Sequence, residues 1–203
     1  QVSGRTAAED ESRETWRVGG CGVGPTGLAA AANLKTRGID YLVLEAGDHA
    51  GAAVSGWAHI RLFSPWSQLI DPAASQILAT VGWNEPNPDR YPTGENWVAN
   101  YLQPLAGALG NSVRFNTTVT GVAKRGRDLI VDSGRDDESF TVHVDTPSGE
   151  QRIEARAVID ASGTWTGPNP LGGDGLAAVG EKAAADRITY RIPNFNDPAV
   201  RQK

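Results

Sequence analysis

The sequence predicts an α/β fold in which a parallel β-sheet carries an inserted antiparallel β-meander. Two short apolar runs, Tyr41–Leu44 and residues 157–159, are typical of strands buried on both faces of a parallel sheet. Residues 112–145 alternate between polar and apolar side chains, the pattern of antiparallel strands with one solvated face. An alanine-rich segment, residues 25–37, predicts a helix between a candidate strand at 16–21 and the first apolar run.

The elements between these strands are less regular. Asp71 is a typical N-cap, so a helix is predicted from residue 72 to about residue 81. A further helix is predicted over residues 95–109, and Pro104 is expected to kink or interrupt it because proline lacks the backbone N–H. A glycine pair at 19–20 falls inside the first candidate strand, where each interior glycine costs about 0.5–1 kcal/mol relative to alanine. We therefore expect that strand to be weak or distorted.

Composition and charge disfavour several classes of protein. The 203 residues suffice for one domain or one and a half, and the net charge of −5 disfavours binding to nucleic acid or to an anionic membrane. No apolar run approaches the roughly 20 residues of a membrane-spanning helix. Residues 1–15 are polar and predict a disordered leader rather than a signal peptide. Cys21 is the only cysteine, which excludes an intrachain disulfide and indicates a cytoplasmic protein.

A glycine-rich turn follows the first candidate strand and opens the predicted helix. Its residues match G-x-G-x-x-G and read Gly22-Val23-Gly24-Pro25-Thr26-Gly27. The first glycine permits a tight turn, the second lets the backbone approach a pyrophosphate, and the third lets the helix pack on the sheet. Pro25 and Thr26 begin a helix whose N-terminal N–H groups attract phosphates.

An acidic residue stands where such a turn requires one. Glu45 ends the second strand 23 residues after Gly22, near the spacing of about 20 residues expected for the acid that binds ribose hydroxyls. Strand, turn, helix, strand and acid together predict a Rossmann-like dinucleotide site. This unit alone does not separate NAD from FAD.

Further segments carry a resemblance to a known family. They are Gly-Ala-Ala-Val-Ser-Gly-Trp at 51–57, Arg-Leu-Phe-Ser-Pro-Trp at 61–66, Tyr-Pro-Thr-Gly at 91–94, and Ala-Val-Ile-Asp-Ala-Ser-Gly-Thr-Trp at 157–165. With the glycine turn and Glu45, they make the chain similar to the flavin-containing monooxygenase-like group of FAD-dependent oxidoreductases, relatives of the pyridine nucleotide-disulfide reductases. The resemblance covers about residues 16–200. It implies FAD as cofactor and NAD(P)H as co-substrate of the intact enzyme.

The resemblance also implies further contacts with the cofactor. In such enzymes the strand that ends in small residues and a glycine, here Gly163, lies against FAD. Val119 matches the position whose backbone contacts the adenine, and Trp57 is a candidate to touch the cofactor because aromatic rings commonly line such sites. No catalytic acid or base is predicted.

A second dinucleotide motif is missing from the sequence, since the glycines at 172–175 lack the spacing. The resemblance implies that such enzymes continue into a second glycine-rich unit that binds NADPH. We therefore expect the chain to be the N-terminal FAD-binding part of a larger enzyme. Residues 16–170 would form an incomplete FAD-binding domain, and residues 171–203 a loop-rich lead into a NAD(P)-binding domain. The exposed edge is expected to permit self-association, and the small-molecule substrate stays unidentified.

Two other functions stay open at this point. A NAD(P)-binding dehydrogenase domain would use the same glycine turn, and a non-catalytic nucleotide-binding fragment would bind without turnover. The histidines His49, His59 and His143 lack the clustering of a metal site, so no metal is expected. Ser64 and Ser162 lack a nucleophile-elbow pattern, which disfavours serine hydrolysis.

Overall fold

The computed structural model describes residues 15–128, 130, 133–195 and 198–201. The leader predicted at residues 1–15 lies outside the described residues, apart from Thr15. The elements are, in chain order, β1 Thr15–Cys21, α1 Pro25–Thr36, β2 Tyr41–Leu44, α2 Ala52–Ser55, α3 Trp66–Leu69, α4 Pro72–Ala79, α5 Gly94–Trp97, a π-helical turn Val98–Leu102, α6 Gln103–Leu109, a 3₁₀ turn Gly110–Ser112, β3 Val113–Arg114, β4 Thr118–Lys124, β5 Phe140–Thr146, β6 Gly149–Asp160, a 3₁₀ segment Lys182–Arg187 and α7 Pro198–Arg201.

The six strands form one mixed sheet in the order β3-β2-β1-β6-β5-β4. β1 pairs in parallel with β2 and β6, and β2 pairs in parallel with β3. β4, β5 and the first half of β6 form an antiparallel meander. The predicted parallel sheet with an inserted meander is confirmed, and residues 157–159 join β1 as expected.

The short strand β3 departs from the predicted pattern. Val113 and Arg114 pair in parallel with Val43 and Leu44 of β2, so the antiparallel prediction for residues 112–145 is wrong here. The reason is topological. α6 returns the chain to the end of the sheet at which β2 begins. Because β3 starts at that same end, it runs parallel to β2.

β1 is continuous despite its glycines, since it pairs in constant register on both edges. A Cβ atom added at Gly19 would lie 3.4 Å from the Cβ of Ala155, and one added at Gly20 would lie 3.7 Å from Cγ1 of Val43. An alanine-sized side chain at either position would therefore make ordinary van der Waals contacts with the neighbouring strands. The expected distortion is not found, and the expected weakness of the strand stays a prediction.

The helices α1 and α4 begin where the sequence predicts, whereas the short helices α2, α3 and α7 have no counterpart in the sequence prediction. α1 starts at Pro25, and α4 follows Asp71, whose carboxylate accepts hydrogen bonds from the N–H groups of Ala73 and Ala74. The helix predicted over residues 95–109 consists of α5, the π-helical turn and α6, with Pro104 just after the turn. Because Pro104 has no N–H to donate, the carbonyl of Asn100 accepts instead from Nε1 of Trp83 at 2.7 Å.

The two faces of the sheet are covered differently. Helices α1, α4 and α6 pack on one face together with Tyr41 and Val43, whereas Leu42 and Leu44 pack on the other face. The meander supplies the second layer through Val142, Val144 and Ile153. This arrangement explains why all four residues of β2 are buried. None of the helices in the described part of the chain has the length and apolar character needed to cross a membrane.

Candidate functional site

A cleft of about 520 Å³ lies at the carboxyl ends of β1, β2 and β6. Open α/β sheets bind ligands at this end of their strands. The glycine turn, the end of β2, the start of β4 and the loop after β6 all contribute to its walls; the lining residues that matter here are Gly22, Gly24, Glu45, Val119, Ser162 and Trp165. Four of the nine predicted cofactor-binding residues line this cleft: Gly22, Gly24, Glu45 and Val119.

Two glycines of the turn are required by close packing. Gly22 has a φ of +97°, and a Cβ atom there would lie 2.6 Å from the carbonyl oxygen of Ala161. A Cβ atom on Gly27 would lie 1.9 Å from the carbonyl oxygen of Gly22. Both neighbours are backbone atoms. A side chain on Gly22 would force the turn away from the loop after β6, and one on Gly27 would force the helix away from the turn.

Gly24 differs from these two glycines. A Cβ atom there would meet no described atom within 4 Å, and its φ of −81° is open to any residue. The space beside Gly24 belongs to the cleft. The backbone is therefore bare on the side from which a ligand would approach.

The N-terminus of α1 supplies hydrogen-bond donors beside this bare backbone. Pro25 is the first helical residue and has no N–H, and the N–H groups of Thr26 and Gly27 have no acceptor one turn earlier in the helix. Such donors, with the helix dipole, favour an anion. Pro25, Thr26 and Gly27 do not themselves line the cleft; Gly27 is buried behind the turn.

Glu45 holds the turn as well as facing the cleft. The N–H of Val23 donates to Oε2 of Glu45 at 2.6 Å, and the N–H of Gly47 donates to Oε1 at 2.9 Å. A carboxylate accepts about four hydrogen bonds, so two acceptor positions stay available for hydroxyl donors in the cleft. By accepting this bond from Val23, Glu45 also stabilises the turn, a structural role that the spacing of the motif does not predict.

Three further predicted residues occupy different places. Val119 lines the cleft from β4. Gly163 has a φ of +68° and turns the chain between the lining residues Ser162 and Trp165 without lining the cleft itself. Trp57 lies outside this cleft; its ring contacts that of Trp97, with the centroids 6.5 Å apart.

The titratable groups at the end of β1 and β6 do not form a nucleophile. The thiol of Cys21 is buried, and burial followed by the nearby charge of Asp160 raises its pKa. Asp160 accepts hydrogen bonds from Oγ of Ser162 at 2.6 Å and from its N–H at 3.0 Å, and these bonds lower the pKa of Asp160. Cys21 is therefore a protonated thiol in the floor of the cleft rather than a reactive one.

Sequence reasoning missed several residues of the cleft. Trp165 contributes a large aromatic ring, and Ala52 and Ala53 contribute small apolar side chains from the first turn of α2. Trp165 stands two residues after Gly163, but only the folded loop shows that it lines the cleft. No spacing rule connects these residues to the glycine turn.

Comparison with known proteins gives one family and several relatives. A family model described as pyridine nucleotide-disulphide oxidoreductase matches residues 21–189. The chain is 37% identical over 115 residues to indole-3-pyruvate monooxygenase YUCCA1 of Oryza sativa subsp. japonica, which is 56% of this chain and 27% of that protein.

Two solved structures are similar to the chain. A flavin-containing monooxygenase from Stenotrophomonas maltophilia matches with a TM-score of 0.55 and 27% identity over 78% of this chain and 41% of that chain. The bacillithiol disulfide reductase Bdr from Bacillus cereus shares the fold with a TM-score of 0.59 and 24% identity, over 79% of this chain and 43% of that chain. The chain spans less than half the length of each of these relatives.

Proposed function

The chain belongs to the pyridine nucleotide-disulphide oxidoreductase family, and we propose that it is the FAD-binding part of an NAD(P)H-linked, monooxygenase-like enzyme. Membership places it among FAD-dependent oxidoreductases, which disfavours a NAD(P)-binding dehydrogenase domain. The proposed monooxygenase type is supported by the plant monooxygenase and by the bacterial flavin-containing monooxygenase, both more than 25% identical to this chain.

One observation carries the proposal: the bare backbone at Gly24 faces the same cleft as the carboxylate of Glu45. A dinucleotide needs donors and open space at its pyrophosphate and an acceptor at its ribose. The glycine turn and the N-terminus of α1 offer the donors and the open space for the pyrophosphate. The free acceptor positions of Glu45 offer the acceptor for the ribose. The residues present therefore fit FAD.

Each part of the cleft has a separate task in binding. Gly22, Gly24 and the N-terminus of α1 would hold the pyrophosphate, Glu45 would accept from ribose hydroxyls, and the backbone of Val119 would contact the adenine. Bound FAD supplies hydride and oxygen chemistry that side chains lack. The chain's residues bind and orient the cofactor and exclude water through the apolar walls.

The proposed division is a FAD-binding domain at 16–170 and a lead into a NAD(P)-binding domain at 171–203. We place the protein in the cytoplasm on the ground of its cysteine usage, and we expect a small-molecule substrate.

The experiment is reconstitution of the 203-residue chain with FAD or NAD, followed by an NADPH oxidation assay. We expect a yellow protein with a flavin spectrum and no retained NAD. NADPH consumption should stay at the rate of free FAD, because hydride transfer needs two cofactors held in register. Retention of NAD without flavin would overturn the FAD assignment. Saturable NADPH oxidation far above the free-flavin rate would show that these 203 residues also bind NADPH, and it would overturn the proposal that they form only the FAD-binding part.

A further inference from the structure

Trp165 lies at the rim of the cleft in a tightly fitted position. It belongs to the loop after β6 and is one of the residues that line the cleft. The ring packs against the end of α2, where a Cβ atom added at Gly56 would lie 2.8 Å from both Cζ2 and Nε1 of the indole. Glycine at position 56 therefore leaves the room that the ring occupies.

The side chain of Arg191, which is distant in the sequence, packs over the indole ring of Trp165. The guanidinium carbon of Arg191 lies 4.7 Å from the ring centroid of Trp165, within the range of a cation–π interaction. The pair joins the loop after β6 to the C-terminal segment. Arg191 thus brings a positive charge to the rim of a cleft whose described lining contains the acid Glu45 and no lysine or arginine.

The segment that carries Arg191 is itself fixed by a buried acid. Glu181 is 7% exposed, and its carboxylate accepts hydrogen bonds from the N–H groups of Leu171 and Ala178 and from the hydroxyl of Tyr190. Tyr190 directly precedes Arg191. The carboxylate therefore fixes the residue next to the cation that holds the ring.

We propose that Trp165 binds the cofactor as a wall of the cleft and that Arg191 is a positioning residue that holds this ring in place. The inference rests on the proposed function, since it assigns residues to the same cleft. A flat aromatic ring loses little conformational freedom on binding and covers a large apolar area.

The test of Trp165 is titration of the apo chain with FAD, with the melting temperature measured for each variant. Trp165→Ala should weaken FAD binding about tenfold or more, and Trp165→Phe should keep most of the affinity because it keeps a ring. Trp83→Phe is the matched control, since Trp83 lies outside the cleft. The melting temperatures of the two Trp165 variants should stay unchanged, because Trp165 belongs to neither core cluster. Trp83→Phe should melt lower, because Trp83 packs against the core and donates to the carbonyl of Asn100.

The test of Arg191 uses a charge-matched control on the same segment. Arg191→Met should weaken FAD binding about threefold or more, and Arg191→Lys should restore part of the loss because it keeps a cation over the ring. Arg187→Met removes an equal charge from the same segment and should leave the affinity unchanged.

Three results would overturn parts of the account. Equal FAD affinity of Trp165→Ala and the wild type would overturn the inference, provided that the wild type binds FAD. Equal losses in Arg191→Met and Arg187→Met would remove the positioning role. A wild-type chain that does not bind FAD would instead overturn the proposed function.

Discussion

Because Gly27 has no Cβ atom, helix α1 can pack directly against the glycine turn. Any Cβ atom there would meet the carbonyl oxygen of Gly22 at 1.9 Å, a contact that backbone movement alone can relieve. We expect Gly27→Ala to destabilise the fold by about 1–3 kcal/mol, the usual cost of overpacking. Thermal or urea unfolding measures this loss. Gly107→Ala is the control, because a Cβ atom there meets no described atom within 4 Å; equal stability of the two variants would contradict the packing argument.

Both carboxylate oxygens of Glu45 accept a hydrogen bond from a backbone N–H group. Even a conservative substitution of Glu45 should therefore affect the stability of the protein. An amide has one oxygen, so in Glu45→Gln either Val23 or Gly47 would face an NH₂ group instead of an acceptor. An unsatisfied donor costs about 1–3 kcal/mol, so the variant should lose both stability and FAD affinity.

Urea unfolding and FAD titration of Glu45→Gln measure the two losses. A variant that keeps full stability but loses FAD would show that Glu45 acts on the ribose alone. The motif spacing predicts only that ribose role. The bond to Val23 depends on how the turn folds back over the end of β2, which no count of residues gives.

The element β1 can be strengthened without touching the cleft. Gly20 has room for a methyl group, since its added Cβ would lie 3.7 Å from the nearest described atoms. We expect Gly20→Ala to raise the free energy of unfolding by about 0.5–1 kcal/mol, because alanine loses less backbone entropy than glycine. Urea denaturation measures the gain, and a lower stability would show that Gly20 is needed for contact with β2.

Local patterns predicted most of the elements and failed where long-range contacts decide. Proline and Asp71 marked helix starts, and the apolar run Tyr41–Leu44 marked a strand buried on both faces. The direction of β3 depends on where α6 delivers the chain, and the π-helical turn Val98–Leu102 depends on the distant indole of Trp83. Trp165 lines the cleft from a loop, and loops have no hydrophobic periodicity from which its position could be predicted.

The whole molecule exposes an unpaired strand edge beside the cleft. Beyond Ala155, the described residues of β6 pair only with β1, and Ile159 is 36% exposed there. Such edges pair readily with other strands, so the chain should self-associate at high concentration. Ile159→Lys should reduce the association seen by light scattering. Val81→Lys is the control, since Val81 is exposed just after α4, a helix that packs against α1 and α6. Equal effects of both variants would show that general surface charge, rather than the edge, is responsible.

Calorimetric titration with FAD of the wild-type chain and of Gly24→Val asks whether the cofactor lies on the glycine turn. A Cβ atom at position 24 would meet no described atom within 4 Å, and a valine there would occupy the approach to the turn, so we expect the melting temperature to be unchanged. We expect FAD affinity to fall about a hundredfold or more. A stable Gly24→Val variant that binds FAD as tightly as the wild type would show that the cofactor does not lie on the glycine turn, and the account of this cleft would be wrong.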